Sequence, residues 1–157
     1  MKRLGFVNKE KCWNFVRKLE EEMKTETWNR KTTKSGRNCI WFGIGVELGF
    51  NNYKFEGKKI PKGLRIRGNQ LYGSDDWNSI LIYKYEKNSE LKEHIDRDLF
   101  DKKVVIINLS KNLTGFKYGG KINWIKDGEV IEINSKIRHG IIKVTEERFS
   151  ISFRKVI

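Results

Sequence analysis

Arg148-Phe149-Ser150-Ile151-Ser152-Phe153-Arg154 alternates polar and apolar residues without a break. A strand places residues i and i+2 on one face. Phe149, Ile151 and Phe153 therefore share one face, and Arg148, Ser150, Ser152 and Arg154 share the other. An ordinary half-exposed strand would turn its polar side to water. The alternative is that this side lines the inside of a barrel, where two guanidiniums and the hydroxyls would suit a ligand with two carboxylates. Arginine grips a carboxylate through two parallel hydrogen bonds, a geometry that lysine does not offer.

The chain leading to this stretch reads mostly as strands. Residues 137–144 form a further predicted strand, and residues 116–118 and 122–125 flank Gly119-Gly120, a hairpin signal. Asp127-Gly128 gives a second hairpin signal, into residues 130–133. Residues 104–109 form an apolar run of the kind found in buried strands, and 39–46, 52–55 and 79–85 are further strands. Residues 24–38 are polar and read as a loop. Before them, Cys12, Val16, Leu19 and Met23 recur at helical spacing, and Asn8 is placed to cap that helix. One N-terminal helix followed by many short strands predicts a mainly β fold: a sandwich, barrel or jelly roll.

The length of 157 residues fits one domain that buries a real core. The 38% apolar and 12% aromatic residues argue against disorder. The charge is +13, from 33 basic and 20 acidic residues. Such a balance points to nucleic acid as a partner, or to a lysine-rich solvated surface with none. Residues 54–67 hold six basic residues and one acidic, and 102–126 hold six lysines and no acid. Cys12 and Cys39 form no CxxC pair, which argues against a zinc ladder or disulfide framework. No apolar run reaches membrane-spanning length, and residues 4–7 are too short for a signal-peptide core. The expectation is a soluble, intracellular monomer.

There are two histidines. His94 stands in His94-Ile95-Asp96, and on a strand both polar side chains would reach one point. His139 follows 45 residues later on another predicted strand. Two histidines and a carboxylate make the facial set that suits non-haem iron(II) and leaves positions open. Alone, the tripeptide is a weak signal, and a single half-buried histidine is commonly a satisfied core residue.

Together these segments resemble the 2-oxoglutarate/iron(II) dioxygenase superfamily, and most of all its AlkB-like branch. The resemblance runs from Leu81-Ile82-Tyr83-Lys84-Tyr85 through His94-Ile95-Asp96. It continues over residues 104–109 and Arg138-His139-Gly140-Ile141 to the closing Arg148–Arg154 stretch. It covers roughly residues 75–157, with weaker agreement over 40–60. Both histidines fall in motif positions.

The resemblance implies a double-stranded β-helix, or jelly roll, spanning residues 1–157 as a single domain. Residues 1–40 would supply the N-terminal helix and loop, and 75–157 the catalytic core. It implies Fe(II) bound by His94, Asp96 and His139, with 2-oxoglutarate as co-substrate and O2 as oxidant. Arg148 would take the far carboxylate of 2-oxoglutarate. Arg154 would lie near its chelating end or brace Asp96, and Tyr85 would donate its hydroxyl. Trp41, Tyr53 and Phe55 become candidates for stacking a flipped base, although ordinary core aromatics are the commoner role. Tyr83 and Ser150 replace asparagines frequent in the family, and the interval from His139 to Arg148 is short.

The implied reaction is oxidative demethylation or hydroxylation of a modified base in single-stranded DNA or RNA. The same scaffold also supports hydroxylation of a protein, peptide or small molecule. A non-catalytic nucleic-acid-binding domain is the third alternative.

Overall fold

The computed structural model describes residues 1–27, 34–47 and 53–157. Twelve strands, two α-helices and one short 3-10 helix (Glu20–Glu22) are present among them. In chain order the strands and α-helices are β1 (Lys2–Phe6), α1 (Lys9–Leu19), β2 (Lys24–Thr27), β3 (Lys34–Glu47), β4 (Tyr53–Glu56), α2 (Lys62–Tyr72), β5 (Ser79–Tyr85) and β6 (Leu91–His94). Then come β7 (Phe100–Ser110), β8 (Thr114–Tyr118), β9 (Lys121–Ile125), β10 (Glu129–Asn134), β11 (His139–Ile141) and β12 (Arg148–Val156). The larger sheet runs β1-β10-β7-β12-β5-β3-β2, with β4 also paired to β3. The smaller runs β6-β11-β8-β9. All these strand pairs are antiparallel. The two sheets make the expected mainly β jelly roll.

β12 lies centrally in the larger sheet, with β5 and β7 on its sides. Its alternation divides the interior into two compartments. Phe149, Ile151 and Phe153 join Val16, Leu19 and Tyr72 in the core beneath the helices. Trp13 meets Phe149 edge-on at 5.5 Å, and Trp77 meets Phe153 at 5.2 Å. The other face, carrying Arg148, Ser150, Ser152 and Arg154, turns inward toward the smaller sheet and lines a cavity. The layers are thus helices, large sheet, cavity and small sheet.

α1 begins as its sequence implies, because Asn8 Oδ1 accepts the Lys11 N–H at 3.2 Å. Val16, Leu19 and Met23 are buried on the predicted face. Gly119 and Gly120 both have positive φ, 58° and 84°, and join β8 to β9 with Tyr118 opposite Lys121. That is the two-residue hairpin read from the sequence. Asp127-Gly128 is different. It carries the chain from β9 in the small sheet to β10 in the large one, so the two strands do not pair. Here Gly128 donates its N–H to the Asn108 carbonyl, and Asp127 Oδ1 accepts from Trp13 Nε1 and the Ser110 N–H.

The expected loop over residues 24–38 is overturned where it is described. β2 pairs with β3 there, and β3 starts at Lys34. Main-chain ladders need no apolar side chains, so these polar residues are sheet. The weak agreement over 40–60 is described in part, since residues 48–52 lie outside the described set.

Helix α2 was not expected from the sequence. Gly68 sits on its inner side, where an added Cβ would come within 2.3 Å of the buried Trp77 ring. Alanine favours a helix interior over glycine by about 1 kcal/mol. Overpacking a rigid core costs about 1–3 kcal/mol, so the clash wins. Gly68→Ala is expected to lower the urea midpoint without changing the slope of the unfolding transition; a higher midpoint would show that Trp77 yields freely.

Candidate metal centre and anion pocket

The small sheet sets the two histidines side by side. His94 ends β6, His139 begins β11, and the two are direct antiparallel partners with ring centroids 4.5 Å apart. Asp96 lies beyond the end of β6, so the expected shared strand face does not apply. The chain instead bends, and the Asp96 N–H bonds to the Ser135 carbonyl at 3.0 Å. The bend brings Asp96 Oδ1 to 3.1 Å from His94 Nε2 and 3.2 Å from His139 Nε2. One ligand atom from each of the three lies within 4.8 Å of the others.

The hydrogen bonding behind the rings fixes what they present. His94 Nδ1 faces the Lys92 carbonyl at 2.9 Å, and His139 Nδ1 faces the Ile137 carbonyl at 2.8 Å. A carbonyl only accepts, so each Nδ1 carries the proton. In the neutral rings both Nε2 lone pairs then point at a carboxylate oxygen, which is itself an acceptor. Three acceptors converging on one point fit a divalent cation. Orientation of each imidazole through its other nitrogen is the usual support for a metal ligand.

Asp96 Oδ2 is buried with no hydrogen bond, although Arg154 Nη1 lies 3.3 Å away. Burial pushes the Asp96 carboxyl up, but the positive charge of the Arg154 guanidinium beside it pulls it down. The group is held well below the usual carboxylate range and stays charged. Arg154 thus occupies the bracing position.

The cavity behind this cluster has a volume of about 240 Å³. Leu81, Ile106, Phe116, Ile133 and Ile141 supply its apolar walls. Arg148 lies at the end away from Arg154 and is only 3% exposed. Its Nε donates to Asn108 Oδ1 at 2.7 Å, and its guanidinium stacks 4.8 Å from the Tyr85 ring centroid. No carboxylate among the described residues pairs with it. Burial pulls its affinity for a proton down, and nearby Arg37 adds repulsion. An unpaired buried cation is expensive, which fits a site awaiting an anion.

Tyr85 is buried and lines the cavity, its hydroxyl 3.5 Å from Arg37 Nη1. Tyr83 also enters the cavity, with Arg37 over its ring at 4.2 Å. The stacking candidates are placed elsewhere. Trp41 is 7% exposed and lies parallel to Phe100, centroids 6.4 Å apart. Phe55 packs its ring over Gly45, and Tyr53 is 61% exposed on β4. None of the three lines the cavity.

Arg37, which lines the cavity, and Asn108, which holds Arg148 from behind, escaped sequence reasoning. Arg37 fell within the expected loop. Asn108 fell inside an apolar run; a lone amide there was the available signal, because a buried polar group needs partners. Its Nδ2 donates to Ser110 Oγ and the Lys126 carbonyl, each at 3.0 Å, leaving Oδ1 for Arg148.

No family model matches this chain, and no curated protein does. Solved structures do. OsALKBH1 superposes with a TM-score of 0.66 at 12% identity, over 96% of this chain and 93% of that one. A prolyl hydroxylase from Trichoplax adhaerens, in complex with a hypoxia-inducible factor peptide fragment, gives 0.65 at 11%, over 99% and 82%. An oxidoreductase of the 2OG-Fe(II) oxygenase family from Burkholderia pseudomallei gives 0.59 at 14%, over 90% and 77%. The fold is that of the 2-oxoglutarate/iron(II) oxygenases. OsALKBH1 and the prolyl hydroxylase share this fold about equally well. Within this oxygenase fold, the convergent acceptors and the unpaired guanidinium occupy opposite ends of one cavity.

Proposed function

We propose that this chain is a 2-oxoglutarate- and Fe(II)-dependent dioxygenase, an oxidoreductase acting on a modified nucleic-acid base by oxidative demethylation or hydroxylation. The observation that carries the reaction class is the pairing of the His94/Asp96/His139 acceptor cluster with buried Arg148 across one small cavity. Residues 1–157 would form one such domain, with the catalytic core drawn largely from 75–157.

Iron(II), 2-oxoglutarate and O2, once bound, supply the oxidising power, and 2-oxoglutarate leaves as succinate and carbon dioxide. The protein supplies position. His94, Asp96 and His139 hold the metal, and Arg154 keeps Asp96 ionised. Arg148 receives the far carboxylate of the co-substrate, with Asn108 fixing its orientation and Tyr85 beside it. The apolar walls keep water from the reacting groups.

Nucleic acid is supported by the net charge of +13 and by the AlkB-like neighbour. Lys111, Lys121 and Lys126 form no ion pair among the described residues. Exposed Tyr53 and half-exposed Phe55 offer aromatic faces on β4, and basic grooves with stacking aromatics suit single strands. Lys58 and Lys117 contribute less to such a surface, being engaged with Glu22 and Glu93. A protein or peptide substrate is the second reading, favoured by the peptide-bound prolyl hydroxylase neighbour.

Succinate release under Fe(II), ascorbate and air separates these readings. Turnover that requires His94 and rises with methylated single-stranded oligonucleotides is the expected result, with binding that weakens as salt rises. His94-dependent turnover indifferent to oligonucleotides, with no salt-sensitive binding, would move the substrate to peptides or small molecules.

A further inference from the structure

The turn between β10 and β11 touches two metal-ligand candidates from outside the donor set. The Ser135 carbonyl accepts the Asp96 N–H at 3.0 Å. Lys136 Nζ donates to the Asp96 carbonyl at 3.2 Å and the Arg97 carbonyl at 2.7 Å. The Ile137 carbonyl accepts from His139 Nδ1 at 2.8 Å. Three consecutive residues thus grip the peptides on both sides of the Asp96 α-carbon and the back of the His139 ring.

The turn is itself well fixed. Asn134 Oδ1 accepts the Lys136 N–H, and the Asn134 carbonyl accepts the Ile137 N–H, each at 3.0 Å. The Asn134 N–H reaches the Tyr118 hydroxyl at 3.1 Å, and the Ser135 N–H reaches the Lys102 carbonyl at 2.7 Å. Ser135 is fully buried.

Asp96 needs such support because it lies past the last residue of β6. We infer that Lys136 is a positioning residue for the metal centre, fixing the Asp96 peptide so that its carboxylate meets the two Nε2 atoms. The inference rests on the metal reading above. Its ion-pair contact does not explain the lysine, because Asp98 lies 4.0 Å away and is fully exposed. Charge alone would act in the opposite direction: a cation this near the site repels a divalent ion, so its removal would tighten metal binding.

The test is a cobalt(II) titration of the metal-free protein, followed by visible absorption. Wild type, Lys136→Met, Lys136→Arg and His94→Ala are compared, with thermal melts of each metal-free protein. Wild type is expected to bind and His94→Ala to lose binding. Lys136→Met should bind about 10–100-fold more weakly, the usual cost of losing support behind a ligand. Its absorption band should shift while its melt stays close to wild type. Lys136→Arg should recover most of the affinity, since a guanidinium can donate to both carbonyls.

Unchanged or tighter binding by Lys136→Met, with the wild-type band, would overturn the role of Lys136 and leave the metal centre standing. Absence of cobalt binding by wild type would overturn the metal reading and this inference together. If Lys136→Met does not fold, Lys136→Gln takes its place: weaker cobalt binding with a shifted band supports the role, and wild-type affinity with the wild-type band overturns it.

Discussion

Asp96→Ala is expected to abolish metal binding and to lower the stability of the metal-free protein by about 3 kcal/mol. His94→Ala should abolish metal binding with little change in stability. Both lose one of three ligands, and turnover in both should fall more than about a hundredfold, beyond the loss expected from weakening outer support alone. The difference lies in what each leaves behind. Side chains of Asp96 and Arg154 are 8% and 11% exposed, so removing the carboxylate strands a guanidinium away from water. The His94 side chain is 38% exposed, so water replaces it. The pH dependence has a definite sign. A carboxyl depressed by folding contributes stability above its unfolded pKa, near 4, and loses it as pH falls toward the folded value. The gap between wild type and Asp96→Ala, read by urea unfolding of metal-free protein, should therefore be full at pH 7 and shrink below about pH 4. A gap that persists unchanged in strong acid would show that Asp96 acts through packing instead.

The strands that carry the site announce themselves because one face is buried beneath helices and the other lines a cavity. That arrangement forces strict alternation in β12, and both His residues are conspicuous because the chain has no others. Less was legible where structure rests on main-chain bonds. β1 is an edge strand whose Leu4 and Phe6 remain exposed, and β2 is a polar strand paired to β3. Arg37 was hidden for the same reason. Asn108 was hidden by its neighbours Ile107 and Leu109, although its amide sets Arg148. In α2 the inward positions Leu64, Gly68, Leu71 and Tyr72 keep helical spacing, but two of its eleven residues are glycine and Pro61 precedes it. Those residues dilute the periodic signal. The outside grip of Ser135–Ile137 on Asp96 and His139 has no sequence pattern at all, since two of the three residues act through their backbone carbonyls.

Arg148→Met should leave stability close to wild type while disabling catalysis. The wild-type guanidinium is buried, repelled by Arg37 and partnered by an amide and a tyrosine face, not by a carboxylate. A methionine of similar length removes the buried charge, a change that is neutral or stabilising by about 1–4 kcal/mol in comparable sites. Against this stand the stranded Asn108 Oδ1, costing about 1–3 kcal/mol, and the lost contact with Tyr85, worth about 1 kcal/mol. These terms nearly cancel, so the melting temperature of the metal-free protein should stay within a few degrees of wild type. Without a carboxylate bound, in other words, the arginine brings no net stability. With 2-oxoglutarate present the effect becomes large. Two charge-assisted hydrogen bonds at about 1.5–3 kcal/mol each would be lost, so the KM for 2-oxoglutarate should rise at least about a hundredfold. Arg148→Lys should fall between the two, keeping a charge but not the forked contact. The deciding comparison is the melting shift on adding 2-oxoglutarate with manganese(II) in place of iron. Wild type should gain several degrees and Arg148→Met should gain almost none. Equal gains would place the far carboxylate somewhere other than Arg148, and a strongly destabilised Arg148→Met would mean that the guanidinium is a structural cation with a stabilising role of its own.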